Sequence, residues 1–316
     1  MATYHGEKIR LFSLISNPEL SNEVSRILDV PLTDCVIERF ADGEVNVNIS
    51  ETVRGHRVFV IQSTCNPVNE RLMELLIFID ALKRASAKEI VVVMPYYGYS
   101  RQDRKAQSRQ PISAKLVADL LTVAGAHRVI SLDLHAPQIQ GFFNIPIDNL
   151  MAMPLFHKYI VSHKIKDVVV VSPDHGGANR ARKLADSVRA DIAIIDKRRP
   201  RPNVSEVMNV IGDVKDKNCI IIDDMIDTGG TIVNAAKALK KEGCKDIYCF
   251  ASHGLFSGDA KEKLSDKELI KRIVVTNSIE KSHEGFENLE VISIAELMAS
   301  AIQRVVDNMA LTPLFQ

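Results

Sequence analysis

Ile220-Ile221-Ile222-Asp223-Asp224-Met225-Ile226-Asp227-Thr228-Gly229-Gly230-Thr231 is the stretch whose reading decides the fold of this chain. Its three isoleucines read as a buried strand leading into a glycine turn, with Asp223 and Asp224 expected at the strand's carboxyl end. Beyond the turn, Ile232, Ala235, Ala236 and Leu239 recur at the spacing of one helical face. The glycines let main-chain N–H groups converge on an anion, the new helix presents its positive end, and the hydroxyls of Thr228 and Thr231 add donors. A phosphate monoester suits that arrangement. Two adjacent carboxylates would repel phosphate, but as acceptors they suit the neighbouring hydroxyls of a sugar. Together the two features describe ribose 5-phosphate. A strand, turn and helix with acidic caps would explain one Asp and one Thr, not the whole run.

Apolar, β-branched runs recur at 58–61, 90–94, 129–132, 168–171, 192–195, 247–250 and 273–275, most of them separated by helical patterns. This alternation predicts an α/β fold with mostly parallel sheets flanked by helices and with ligands at the carboxyl ends of strands. The chain also repeats itself: LKRASAKEIVVV from Leu82 matches LKKEGCKDIYCF from Leu239, each closing a helix and opening a strand. Two similar domains are expected, 1–150 and 151–316, with Pro146, Asn149 and Pro154 interrupting the pattern near the boundary. The copies differ where chemistry belongs. The second has Asp223-Asp224 and the glycine loop, whereas the first has Gln62-Ser63-Thr64 followed by Asn66-Pro67, so only the second is expected to hold ribose phosphate. A final helix over 294–309, with Leu297, Met298, Ala301, Ile302 and Val305 on one face, can pack back on the first domain.

With 316 residues, 46% of them hydrophobic, the chain can bury two cores of ordinary size. Forty Lys and Arg balance forty Asp and Glu, which leaves no global field for nucleic acid or an anionic membrane. No apolar run approaches membrane length and the start, MATYHGEKIR, lacks the hydrophobic core of a secretory signal, so a cytoplasmic protein is expected. Cysteines 35, 65, 219, 244 and 249 form no CxxC pair and read as reduced, packed thiols.

Four further constellations sit at expected strand ends. Ser172-Pro173-Asp174-His175-Gly176-Gly177 is a second glycine turn, and with Arg180, Arg182 and Lys183 it suits a diphosphate; Asp174 adds an oxygen ligand of the kind magnesium prefers. His135 follows the strand at 129–132 and reads equally as a ligand or a structural histidine. Tyr96-Tyr97-Gly98-Tyr99-Ser100-Arg101-Gln102-Asp103-Arg104-Lys105 suits a nucleotide: rings to sandwich a base, Gln102 and Asp103 to bond its edge or ribose, Arg101 for phosphate. Lys197-Arg198-Arg199-Pro200-Arg201-Pro202 reads as a mobile cationic loop able to neutralise charge on transferring phosphoryl oxygens. There is no GxxxxGK[ST] loop, so ATP would be held in some other way.

Taken together, these segments resemble the class I ribose-phosphate pyrophosphokinases, also called phosphoribosyl pyrophosphate synthetases, from about residue 9 to the end. The resemblance rests on RFADGEVNVNI from Arg39, YYGYSRQDRK from Tyr96, SLDLHAPQIQGFF from Ser131, SPDHGGANRARKLAD from Ser172, DKRRPRPN from Asp196 and DDMIDTGGT from Asp223. A phosphoribosyltransferase would share only the last. A noncatalytic regulatory subunit of the family is expected to have eroded catalytic positions, and here those positions remain.

The resemblance implies two phosphoribosyltransferase-like domains that transfer the diphosphoryl group of ATP to the 1-hydroxyl of ribose 5-phosphate, giving 5-phosphoribosyl 1-pyrophosphate and AMP for nucleotide biosynthesis, with Mg2+ required. It places Phe40, Asp42, Gly43 and Glu44 in an adenine-binding loop reaching an adjacent subunit, and Arg101, Gln102, Asp103 and Lys105 at the ATP site. His135 and Asp174 match metal positions, and Lys197 and Arg199 a catalytic pair. Arg199, Asp223, Asp224, Asp227, Thr228, Gly229, Gly230 and Thr231 match the ribose 5-phosphate site. It further implies a homo-oligomer, dimers assembling into a hexamer, with inorganic phosphate as activator and ADP as allosteric inhibitor. The chain departs from the family pattern at Gln107, at Asn144 and in the tail Ala310-Leu311-Thr312-Pro313, positions near the allosteric region of relatives.

Overall fold

The computed structural model describes residues 3–4, 6–198, 207–280 and 286–315. The chain forms two compact units, one comprising Met1–Met151, Ser278–Glu280 and Ser293–Gln316, the other Ala152–Asn277 and Lys281–Ile292.

The first unit runs β1 (Thr3–Tyr4), β2 (Glu7–Ser13), α1 (Pro18–Leu28), β3 (Cys35–Arg39), β4 (Val45–Ile49), β5 (Arg57–Ile61), α2 (Val68–Arg84), β6 (Glu89–Met94), α3 (Ser113–Ala124), β7 (Arg128–Leu132), a 3-10 turn (Pro137–Phe142) and β8 (Ile147–Leu150). Its sheet has the order β1-β2-β5-β6-β7-β8, parallel except where β1 meets β2. The largely β-branched runs of β5, β6 and β7 are buried after their first residue, as strands covered on both faces must be. Phe12 meets Phe78 edge-on at 5.1 Å between ring centres, within a core that includes Leu75, Ile79, Val92 and Leu121. Strands β3 and β4 form a separate antiparallel hairpin.

The second unit runs α4 (Met153–Ser162), β9 (Val168–Ser172), α5 (Ala178–Val188), β10 (Asp191–Arg198), β11 (Val207–Ile211), β12 (Asn218–Ile226), α6 (Gly230–Lys241), β13 (Ile247–Gly254), α7 (Ala260–Leu264), β14 (Arg272–Thr276) and β15 (Leu289–Ile292). Its sheet order is β11-β10-β9-β12-β13-β14-β15, parallel except at β10–β11. The direction of winding therefore reverses between β9 and β12, which opens a crevice at their carboxyl ends, the place where open α/β sheets bind ligands. The first sheet has no such reversal. Helix α6 buries Ile232, Ala235, Ala236 and Leu239, the face the periodicity predicts.

Strand β12 is longer than its isoleucine run suggests. It stays paired with β13 as far as Ile226↔Gly254 but leaves β9 after Ile221↔Val171. Asp223 and Asp224 thus lie within the strand, on the part whose β9 side is open, and not beyond its end.

Helix α8 (Ala295–Val306) belongs to the first unit and packs on α1. There Arg57 Nη1 donates to the carbonyls of Val305 and Val306 at 3.0 and 3.1 Å. Among the described residues no helix is long and apolar enough to cross a membrane. All five cysteines are free thiols, four of them buried.

Candidate active site

Two loops face the β9/β12 crevice. After β9, Ser172 Oγ donates to the carbonyl of Asp174 at 2.6 Å and the N–H of Gly177 donates to Asp174 Oδ1 at 3.0 Å. The turn is tight enough that a Cβ at Gly177 would lie 2.8 Å from Ser172 Oγ. His175 Nε2 and Asp196 Oδ1 of β10 are 3.0 Å apart. After β12, Asp227 leads into Thr228 and Gly229, which takes φ +74° at the position just before α6. No side chain caps that helix, so its first N–H groups remain available to an anion. Gly230 faces open space, with nothing within 4 Å of the point where a methyl group would stand, and Thr228 and Thr231 are exposed.

Asp223 and Asp224 are joined by a cation that the sequence assigns to the diphosphate turn and not to this pair. Arg180, in the first turn of α5, donates from Nη1 to Asp223 Oδ1 at 3.0 Å and to Asp224 Oδ1 at 3.3 Å. Successive strand residues normally point to opposite faces. Here Asp223 bends back, its Oδ1 also accepting the N–H of Asp224 at 2.9 Å, and the two carboxylates converge. Burial and the Asp224 charge push Asp223 up to about 7, against the opposing pull of Arg180. Two acceptors held side by side can receive two neighbouring hydroxyls.

In the first unit the hairpin tip between β3 and β4 is closed by N–H donation from Phe40 to the Glu44 carbonyl and from Gly43 to the Phe40 carbonyl, both at 2.9 Å, while Asp42 Oδ1 accepts from the N–H of Glu44 at 3.1 Å. The Phe40 ring is 55% exposed. On the loop after β6, Asp103 Oδ2 accepts from Gln138 Nε2 at 2.8 Å, and Gln102 Oε1 accepts from Ser113 Oγ. Arg101 and Lys105 are exposed, as is His135 beyond β7. Of the three tyrosines read as able to sandwich a base, Tyr96 and Tyr97 are not free to do so. Both are buried; Tyr97 donates to the Ala114 carbonyl at 2.8 Å and packs edge-on against Phe143. The β5 end, the counterpart of Asp223-Asp224, is occupied by the protein itself: Ser63 Oγ donates to the Ser278 carbonyl at 2.6 Å, and Thr64 Oγ1 accepts from the N–H of Gly98 at 2.7 Å.

Arg199 and the positions through Pro202 lie outside the described residues. The backbone of Lys197 is described: it belongs to β10, paired with Met208 of β11, so the cationic run begins inside a strand and not beyond it. His135 and Asp174 belong to different units. A cavity of about 830 Å³ opens at the opposite, amino-terminal edge of the second sheet, beside Lys164, Arg189 and Lys217. Lys164 and Arg189 follow the carboxyl ends of α4 and α5, where cations complement the helix dipole, and none of the candidate residues lines that cavity.

Two phosphoribosyltransferase-like α/β units, the second with a glycine loop and an acidic pair at its switch point, define the class. Residues 9–125 match the N-terminal domain of ribose phosphate pyrophosphokinase, and residues 198–316 match the phosphoribosyl synthetase-associated domain. The ribose-phosphate pyrophosphokinase of Clostridium perfringens is 56% identical over 316 residues, 99% of each chain. That of Bacillus subtilis is 55% identical over 317 residues, 100% of each. The crystal structure of phosphoribosylpyrophosphate synthetase from Mycobacterium smegmatis superposes with a TM-score of 0.90 at 46% identity, covering 96% of this chain and 100% of that one. This chain belongs to the ribose-phosphate pyrophosphokinase family, a family of transferases of the kinase class that serve nucleotide biosynthesis.

Proposed function

We propose that this chain transfers the β,γ-diphosphoryl group of ATP to the 1-hydroxyl of ribose 5-phosphate. The anomeric oxygen attacks the β-phosphorus, the bond from that phosphorus to the oxygen bridging the α-phosphorus breaks, AMP leaves, and the hydroxyl proton passes to water. The products are 5-phosphoribosyl 1-pyrophosphate and AMP. The observation that carries this reading is the meeting of two glycine turns at the β9/β12 switch point, one of them preceded by the convergent Asp223 and Asp224.

In this reading the 5-phosphate lies on residues 227–231 at the start of α6 and the sugar hydroxyls on Asp223 and Asp224. The turn at Asp174 to Gly177 holds the diphosphate. Arg101, Gln102, Asp103 and Lys105 bind ATP, and Phe40, Asp42, Gly43 and Glu44 reach the nucleotide of an adjacent subunit in a homohexamer. Lys197 and Arg199 neutralise charge on the transferring group, and Arg199 also contacts the sugar phosphate. Such chemistry needs positioning and charge compensation, and no protein nucleophile.

The donor set fits magnesium. Asp174 offers a hard carboxylate oxygen, held by the Gly177 N–H, and magnesium commonly takes one or two protein ligands with the remainder from substrate phosphates and water. Among the described residues no three His, Cys, Asp or Glu side chains form an all-protein cage, which that mode of binding does not need. Asp174 and His135 would hold the ion, the imidazole being the less usual ligand. When bound, magnesium would screen the phosphate oxygens and fix their orientation.

A cytoplasmic enzyme activated by inorganic phosphate and inhibited by ADP completes the proposal. Gln107, Asn144 and the tail from Ala310 to Pro313 argue for altered responses to both effectors, and rate curves identical to those of ordinary relatives would dispose of that part. The reaction itself is tested by incubating ATP with ribose 5-phosphate and no nucleobase. AMP release matching sugar pyrophosphate formation, dependent on magnesium, is expected; AMP that appears only with a nucleobase, or not at all, would sink the proposal.

A further inference from the structure

Arg180, read from the sequence as a cation beside the diphosphate turn, stands instead at the point where the two carboxylates meet. A single guanidinium nitrogen spans both, 3.0 Å from Asp223 and 3.3 Å from Asp224. Asp224 is almost wholly buried, and the side chains of Arg180 and Asp223 are about three-quarters covered. Two neighbouring carboxylates in such surroundings repel each other, and each would relax by turning away from the other or by taking up a proton. The cation opposes both outcomes. It comes from α5, across the crevice, where β12 has already left β9.

We propose that Arg180 is a positioning residue that keeps Asp223 and Asp224 convergent, and thereby sets the preference for a pentose phosphate with adjacent 2- and 3-hydroxyls over its 2-deoxy counterpart. The inference rests on the ribose 5-phosphate reading of that pair. With the carboxylates convergent, each hydroxyl meets a charged acceptor; with one carboxylate turned away, the 2-hydroxyl loses its partner and a sugar lacking that hydroxyl loses nothing. Arg180 draws the Asp223 carboxyl downward, against the burial and the Asp224 charge that raise it. The rival role is a direct contact from Arg180 to the diphosphate, and it makes a different kinetic prediction.

Arg180→Gln and Arg180→Lys, compared with the unaltered full-length protein in steady-state kinetics, separate the two. For Arg180→Gln, KM for ribose 5-phosphate should rise about 10- to 100-fold, the worth of a hydrogen bond to a charged group. The preference in kcat/KM for ribose 5-phosphate over 2-deoxyribose 5-phosphate should shrink by about tenfold or more, while KM for ATP moves far less. Arg180→Lys keeps the charge but loses the planar fork and should fall between; it decides on the same readouts if Arg180→Gln does not fold. An unchanged KM and preference for the sugar would overturn the proposal, and so would a loss confined to kcat or to KM for ATP. Asp224→Asn is the companion measurement. If it leaves KM for ribose 5-phosphate untouched, the sugar site and the inference fall together. If it raises KM while both Arg180 variants behave as wild type, only the inference falls.

Discussion

Arg39 Nη2 donates to Glu74 Oε1 at 2.7 Å, tying the residue that precedes Phe40 to a carboxylate with no exposed surface. Glu74 lies on α2, where it also accepts from Arg71 Nη1 and Gln62 Nε2, each at 3.1 Å, and Arg39 reaches Glu70 at 2.7 Å. Removing this carboxylate would strand one largely buried guanidinium and release the hairpin's anchor. Glu74→Ala is expected to cost about 3 kcal/mol, the low end for a broken buried ion pair because Arg39 is partly screened by solvent. Urea denaturation checks this, and an unshifted midpoint would contradict it.

Gly229 and Gly230 should respond differently to the same substitution. At Gly229 a Cβ would sit 2.9 Å from Leu264 Cγ, a fully buried side chain, on backbone at φ +74°. Gly229→Ala should therefore lose about 2 kcal/mol of stability. At Gly230 nothing lies within 4 Å, and Ala suits the first turn of a helix, so Gly230→Ala should keep or slightly raise the melting temperature. Its methyl would instead stand where the 5-phosphate approaches, raising KM for ribose 5-phosphate by about tenfold or more. Equal melting temperatures for the two variants would refute the distinction.

Asp223 ties both stability and substrate affinity to pH. Its pKa is raised from 3.8 to about 7 in the folded protein, so the folded state retains a proton that the unfolded state gives up. The stability this contributes is full below pH 3.8 and is lost as pH rises through about 7. Relative to Asp223→Asn, the ligand-free wild type should lose on the order of 4 kcal/mol over that interval. Affinity for ribose 5-phosphate should move the other way and strengthen as Asp223 ionises. Asp223→Asn should abolish that inflection while keeping any that comes from the substrate phosphate, and an inflection that survives the substitution would assign it elsewhere.

Lys197→Ala tests charge neutralisation at the transferring group. Turnover should fall by about 10²- to 10³-fold, the usual cost of one preorganised electrostatic contact, with KM for ATP little changed. Normal turnover would remove Lys197 from the chemistry.

Much of this was legible where the physics is local. Each of the eight apolar, β-branched runs forms a strand, because a segment buried on both faces can tolerate hardly any polar residue. The phosphate loop is likewise contiguous: Asp227 to Thr231 states its turn, its donors and its helix start in five residues. The β3–β4 hairpin was harder to see, since its strands are half exposed and alternate weakly. The pairings Arg39–Glu74 and Arg180–Asp223 span 35 and 43 residues, and no spacing rule signals either. Tyr96 and Tyr97 misled because aromatic residues beside cations suit a nucleotide and a core edge equally well. The reversal between β9 and β12, which locates the crevice, is a property of strand order and is not written in any one segment.

A crystal structure of the protein with ribose 5-phosphate tests the central claim most directly. The account predicts the 5-phosphate against the N–H groups of residues 229–231 at the start of α6, with the 2- and 3-hydroxyls on Asp223 and Asp224. A sugar phosphate bound in the first unit, or in the second with its hydroxyls away from that acidic pair, would contradict it.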